Sequence, residues 1–227
     1  IRICTGIVNM SSISYVFDLD GTISDPKVGM ARSINFALTS HNFDSVDEED
    51  IGRLIGLPLD QMYRKFCGVT DKSLINTLVE KYREHFWEIG YSENTLYPEV
   101  ESSLNYLHSQ STVRLGICTS KPPGIATKIL QMFGLDRLFD FISGGDVGIE
   151  KHQQLQGLLK DGVIDSSAMM IGDRFVDVRA AHQNHLRSVA VLWGYGSRSE
   201  LENEQPNYFL ESPRQIRELL VLPSRRR

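Results

Sequence analysis

The chain has 227 residues, 41% of them apolar and 23% charged, and its 24 Lys and Arg stand against 29 Asp and Glu for a formal net charge of −5. These proportions exclude a disordered or collagen-like chain, and no window of about 18 residues is free of charged or strongly polar groups, which excludes a membrane-spanning helix. The mild acidic balance argues against binding a nucleic-acid polymer, which needs a basic face to meet phosphates.

Residues 1–9 lack the apolar centre of a secretion signal, and they are read as lying upstream of a natural start at Met10. The first buried strand is expected over 13–19, where β-branched and aromatic residues crowd together. The segment 27–93 then breaks the rhythm: Met30, Ile34 and Leu38 form one helical stripe and Leu74, Leu78, Tyr82 and Phe86 another, with no strand between them. It reads as a helical insert, with Gly29 near its junction as a hinge or an ordinary turn. Helices are expected over 99–109, 124–133, 153–159 and 176–185, and strands over 114–119, 139–143, 168–171, 188–192 and 208–210. Alternation of this kind predicts an α/β fold: a parallel sheet covered by helices on both faces. Ser224 to Arg227 read as a frayed basic tail. Cys4, Cys67 and Cys118 are odd in number and widely spaced, so neither a zinc site nor a disulfide framework is expected, and a reducing, cytoplasmic setting is.

Three segments carry chemistry, each at the end of a predicted strand, where open α/β sheets place ligands. In Asp18-Leu19-Asp20-Gly21-Thr22 the two carboxylates are two residues apart and project to the same side. Paired carboxylates repel, and a bound cation or a shared proton relieves them. In Gly172-Asp173-Arg174-Phe175-Val176-Asp177 the second Asp falls one helical turn after the first; the plainer reading makes Asp173 a helix cap. In Thr119-Ser120-Lys121-Pro122 a hydroxyl and backbone amides suit phosphate oxygens, though Ser120 also suits a helix cap. Lys151, after a Gly144-Gly145 turn, is read either as a surface lysine or as a cation for the site.

In this order the DLDGT, TSKP, Lys151 and GDRFVD elements resemble the haloacid-dehalogenase-like hydrolases, from about 13 to 220. Within them, residues 25–29, 56–59, 97–100 and 193–197 are similar to the phosphoglycolate-phosphatase-like branch and its 5′-nucleotidase-like relatives. The resemblance implies a Rossmann-like core over 10–26 and 94–227 and a mobile helical cap over 27–93, with residues 56–59 approaching the substrate. It implies a Mg²⁺-dependent phosphatase acting on a small phosphorylated substrate, phosphoglycolate-like or a nucleoside monophosphate, as a monomer or homodimer. By position, Asp18 is the nucleophile, forming an aspartyl-phosphate, and Asp20 the general acid and base. Thr119 and Lys151 complete the catalytic set, and Gly21, Thr22, Ser120 and Lys121 contact substrate. The metal falls to Asp18, Asp173 and the backbone carbonyl of Asp20, with Asp177 assisting behind them. Two positions depart from the branch. His152 follows Lys151 where Pro is common, which leaves Lys121 as the rival motif lysine. Arg174 replaces a small hydroxyl residue and is expected to reach a substrate anion or to pair with Glu150.

Other signals read more plainly. Arg53, Tyr63 and Lys65 are weighed as substrate contacts in the cap or as surface residues, and His182 and His185 as metal ligands or solvated side chains. Cys118, Trp87 and Trp193 are expected to pack. Two rival functions stay open: a phosphomutase on the same core, distinguished by transfer without phosphate release, and a non-catalytic binding module, distinguished by inactivity with Mg²⁺.

Overall fold

The structure is a computed structural model that describes residues 12–146 and 148–222. The start at Met10 with residues 1–9, Cys4 among them, and the basic tail from Ser224 lie outside the described residues.

The chain opens with strand β1 (Ile13–Phe17), whose residues alternate between two buried faces: Tyr15 and Phe17 join one apolar cluster and Val16 the other. Burial on both sides is why the run is almost wholly apolar. A two-residue strand β2 (Ser24–Asp25) follows, then helices α1 (Lys27–Ser40), α2 (Glu48–Gly52), α3 (Leu59–Cys67) and α4 (Lys72–Glu88), a 3-10 turn at Gly90–Glu93 and a second short strand β3 (Thr95–Leu96). The rest alternates: α5 (Val100–His108), β4 (Val113–Thr119), α6 (Pro123–Met132), β5 (Phe141–Gly144), α7 (Lys151–Lys160), β6 (Met169–Gly172), α8 (Phe175–Gln183), β7 (Arg187–Val191), α9 (Arg198–Asn203) and β8 (Tyr208–Leu210).

Six strands form one parallel sheet in the order β5-β4-β1-β6-β7-β8. All six predicted strands are therefore present, within two residues of their expected ends. The chain steps from β1 to β4 and β5 on one side and returns to β6 on the other, so ligand-bearing loops gather beside β1. Phe17 stands opposite both Ile117 and Ile171, which brings the carboxyl ends of β1, β4 and β6 level with one another.

The segment after β2 is helical, as expected, and its stripes face inward: Met30, Ile34 and Leu38 of α1 and Leu78, Tyr82 and Phe86 of α4 are buried. Asp71 caps α4 by accepting from the amides of Ser73 and Leu74. The antiparallel pair of β2 and β3 escapes a sequence reading because two residues carry no period. It joins Ser24 to Leu96 and Asp25 to Thr95, so the helical segment leaves and re-enters through one narrow neck. Gly29 is neither hinge nor turn: it lies inside α1, where a Cβ would stand 2.0 Å from the carbonyl oxygen of Gly90. Glycine is needed there because two backbones touch. Among the described residues no helix is long and apolar enough to cross a membrane.

Candidate active site

Beyond Phe17 the chain leaves the strand and Asp18 turns into the level edge of the sheet, its amide still donating to Ile171 O. One carboxylate oxygen accepts from the amide of Leu19 at 2.7 Å, and the other lies 2.8 Å from Lys151 Nζ. Asp20 Oδ2 lies 2.8 Å from Lys121 Nζ, while its Oδ1 is buried with no hydrogen-bond partner. Gly21 holds a φ of +79°, and a Cβ there would stand 2.1 Å from Asp173 Oδ2. The loop thus runs directly over Asp173, and Thr22 Oγ1 donates to Asp173 Oδ1 at 3.1 Å.

Asp173 follows β6 and is fully buried. Its other oxygen accepts from the amide of Tyr195 at 2.8 Å, and no cation pairs with it among the described residues. It does not cap α8. The cap falls one residue later, at Arg174, whose amide donates to Asp177 Oδ2 at 3.0 Å. Asp177 therefore secures the helix start with one oxygen and meets Lys151 with the other. Asp18, Asp173 and Asp177 each offer a carboxylate oxygen, and the three lie within 4.8 Å of one another. The carboxylate of Asp20 stands outside that group.

At the end of β4, Thr119 Oγ1 accepts from the amide of Lys121, and Gln154 Nε2 donates to Thr119 O at 3.0 Å. Ser120 does not cap α6, which begins behind Pro122. Both lysines left open by the sequence reach the carboxylates: Lys151 between Asp18 and Asp177, Lys121 on Asp20. Both are more than nine-tenths buried, which excludes the surface reading of Lys151.

The expected pairing of Arg174 with Glu150 does not occur. Its Nε donates to Glu200 at 2.9 Å and its Nη1 to the carbonyl of Ile55, tying the loop before Gly56 to the sheet edge. Glu150 lies instead at the start of α7, 3.1 Å from His152. Tyr63 is neither a surface residue nor a wall of the cleft: its ring is wholly buried and its hydroxyl has no partner. Arg53 and Lys65 are exposed, and Arg53 pairs with Asp50. His182 Nε2 lies 3.0 Å from Ser188 Oγ and His185 is exposed; neither belongs to a metal-ligating cluster among the described residues. Cys118 and Trp193 pack as expected, Trp193 donating to Thr22 O, whereas Trp87, expected to pack as well, is 38% exposed. Gly21 and Thr22 bear on Asp173 and line neither cleft described here.

Burial sets the electrostatics. It raises the carboxyl of Asp173 well above the ordinary range, with Asp177 and Asp18 adding repulsion. It pushes Asp177 up to about 6 against the pull of Lys151. It also raises Asp20, although Lys121 opposes the shift. For Lys151 burial disfavours the ammonium, but Asp177 and Asp18 outweigh it and the group stays charged.

Above Asp20 a cleft opens between the helical segment and the sheet edge. Ser120 and Lys121 line its inner end, and Leu57, Pro58 and Leu59 reach it from the helical segment. Tyr82 and Phe86 also line it, which sequence reasoning missed: a helical stripe looks the same whether it faces a core or a cleft; Arg83 and Trp87 line it from beside that stripe. A second cleft on the other side of Leu57 is lined by Lys151, His152 and Arg179.

Residues 15–191 match the family model described as haloacid dehalogenase-like hydrolase. A 5′-nucleotidase of Pseudomonas aeruginosa is 33% identical over 211 residues, 91% of this chain and 95% of that protein. A phosphoglycolate phosphatase of Aliivibrio fischeri is 29% identical over 202 residues, 84% and 88% of the two chains. Among solved structures, a predicted phosphatase from Clostridium acetobutylicum superposes with a TM-score of 0.86 at 29% identity, covering 93% of this chain and 99% of that one.

Proposed function

The chain belongs to the haloacid dehalogenase-like hydrolases, and from that premise we propose that it is a Mg²⁺-dependent phosphatase cleaving a small phosphomonoester through an aspartyl-phosphate on Asp18. One observation carries this reading. Among the described residues, four buried carboxylates, Asp18, Asp20, Asp173 and Asp177, meet only two buried lysines, Lys121 and Lys151. Fully ionised, the site carries two negative charges in excess, and buried charge without compensation is strongly unfavourable.

A divalent cation fits that deficit. Asp18, Asp173 and Asp177 offer hard oxygen donors close together, and among the described residues no cation pairs with Asp173. When bound, Mg²⁺ supplies the positive charge that offsets repulsion between Asp18 and a phosphate dianion. In this role assignment the backbone carbonyl of Asp20 is a further ligand.

The residues then divide the work. Asp18, held by the Leu19 amide and Lys151, attacks phosphorus in line, and the bond to the leaving oxygen breaks. Asp20, kept protonated more readily by burial, gives its proton to the departing alkoxide. It later takes one from the water that hydrolyses the aspartyl-phosphate. Thr119, Ser120, Lys121 and Lys151 offset charge on the phosphoryl oxygens. Gly21 and Thr22 support Asp173 more directly than they contact substrate. The helical segment 27–93 acts as the cap, closing over the site to exclude water, with Arg174 as its tie through Ile55 O. In this reading the chain works as a monomer or homodimer in the cytoplasm.

The test is phosphate release from a panel of phosphomonoesters by the intact chain with Mg²⁺, with excess EDTA, and by Asp18→Asn. Activity is expected with Mg²⁺ alone, and a loss of at least ~10³-fold in the variant, in the range seen when a nucleophile is removed. Full activity in chelator or in Asp18→Asn, or transfer to a second sugar phosphate without phosphate release, overturns it.

A further inference from the structure

The stretch Trp193-Gly194-Tyr195-Gly196-Ser197 takes no part in the chemistry assigned above, yet it touches three parts of the molecule at once. Trp193 Nε1 donates to Thr22 O in the first loop at 3.0 Å. The amide of Tyr195 donates to Asp173 Oδ2 at 2.8 Å, and its hydroxyl donates to Asp25 Oδ1 in the neck strand β2. The glycines on either side allow so close an approach. A Cβ on Gly194 would overlap Asp173 and the carbonyl oxygen of Gly21, and one on Gly196 would overlap the carbonyl oxygen of Asp173. The backbone of Tyr195 is therefore pinned to the acidic site, and only its side chain reaches outward.

That side chain ends where the helical segment begins. Asp25 Oδ1 also accepts from the amide of Lys27, the first residue of α1, at 2.8 Å, and Asp25 pairs with Thr95 across the neck. The Tyr195 ring lies beside α2: a Cβ on Gly52 would stand 4.0 Å from its Cε1. A helical segment turning about the neck would carry Asp25 and Gly52 away from a tyrosine whose backbone stays behind. Hydrogen bonds to a carboxylate contribute more than neutral ones, so the bond to Asp25 favours one position of the segment over the others.

We propose that Tyr195 is a positioning residue that couples the closed helical segment to the acidic site: its hydroxyl holds Asp25 at the neck while its amide holds the carboxylate of Asp173. The inference rests on the phosphatase reading above, in which segment 27–93 is the cap. Coupling of this kind is reciprocal, so loosening the neck also loosens the hold on Asp173. A chain that spends less time closed binds substrate more weakly by that fraction, so the effect falls on KM before kcat.

The test compares the intact chain with Tyr195→Phe, which keeps the ring and the amide, with Asp25→Ala, and with the double variant. With Mg²⁺ and the phosphomonoester the chain hydrolyses fastest, Tyr195→Phe should raise KM at least fivefold and change kcat less than threefold. The double variant should raise KM no more than Asp25→Ala alone, because both changes remove the same bond. A merely structural role would lower the melting temperature and kcat and leave KM in place. Hydrogen exchange in the metal-free chain reads the coupling without turnover: in Tyr195→Phe the amides of Lys27 and Tyr195 should both exchange at least threefold faster. Unchanged KM, a further rise in the double variant, or unchanged exchange at either amide overturns the inference and leaves the phosphatase reading standing. Turnover of no phosphomonoester by the intact chain counts against the phosphatase reading, and exchange then decides the inference alone. Faster exchange at both amides upholds it, and unchanged exchange at either overturns it.

Discussion

Lys121 Nζ stands 2.8 Å from Asp20 Oδ2, and the other oxygen of Asp20 faces no partner at all. The lysine pulls the carboxyl down while burial pushes it up, and burial prevails. Removing the lysine removes the opposing pull. In Lys121→Met the basic limb of the pH profile of kcat should therefore move to higher pH, because Asp20 keeps its proton longer. A profile that keeps its shape and only drops in height would separate Lys121 from proton transfer.

The raised carboxylates make the metal-free chain sensitive to pH in a definite direction. Asp177 is pushed from 3.8 up to about 6, and burial raises Asp173 as well. A carboxyl raised on folding contributes stability below its unfolded value and loses that contribution as pH rises through the folded one. The metal-free chain should thus lose stability as pH rises from about 4 through about 6. Mg²⁺, which binds the ionised form, should raise the melting temperature more at pH 7.5 than at pH 5. Equal shifts at both values would show that the carboxylates are not the binding groups.

Lys151 neutralises two buried acids at once, Asp18 and Asp177. Lys151→Met leaves both without a cation, and breaking a buried pair of this kind costs about 3–5 kcal/mol. Urea unfolding without Mg²⁺ should show a loss of this order, with part of it recovered when Mg²⁺ is added. A loss below about 1 kcal/mol, the range of an exposed pair, would contradict the buried arrangement.

Gly21→Ala tests how tightly the first loop lies over Asp173. The new Cβ would meet Asp173 Oδ2 at 2.1 Å and would need a positive φ as well. Mg²⁺ affinity should fall at least tenfold, read as a smaller metal-dependent rise in melting temperature. Unchanged affinity would mean that the loop yields without moving the carboxylate.

Much of this was legible before any coordinates. Strands buried on both faces read as apolar runs, so β1, β4, β5, β6, β7 and β8 announce themselves, and their ends point to Asp18, Asp20, Thr119 and Asp173. The chemistry of those ends is legible too, since carboxylates two or four residues apart need a cation or a proton. The helices of the segment 27–93 are visible as stripes, but the stripe of α4 does not reveal that Tyr82 and Phe86 reach a cleft.

What stayed hidden are the partnerships between distant residues. Sequence leaves Lys121 and Lys151 as rivals; the strand order places one on Asp20 and the other between Asp18 and Asp177, so both pair with the buried acids. It leaves Arg174 to a substrate anion or to Glu150, whereas the fold turns it to Glu200 and to Ile55 O. It gives no hint of the two-residue ladder joining Ser24 to Leu96. Local periodicity and side-chain chemistry are properties of neighbours along the chain and survive in one dimension. Which buried acid meets which cation depends on how β1, β4 and β6 align and how the loops beyond them cross, and only the packed sheet decides that.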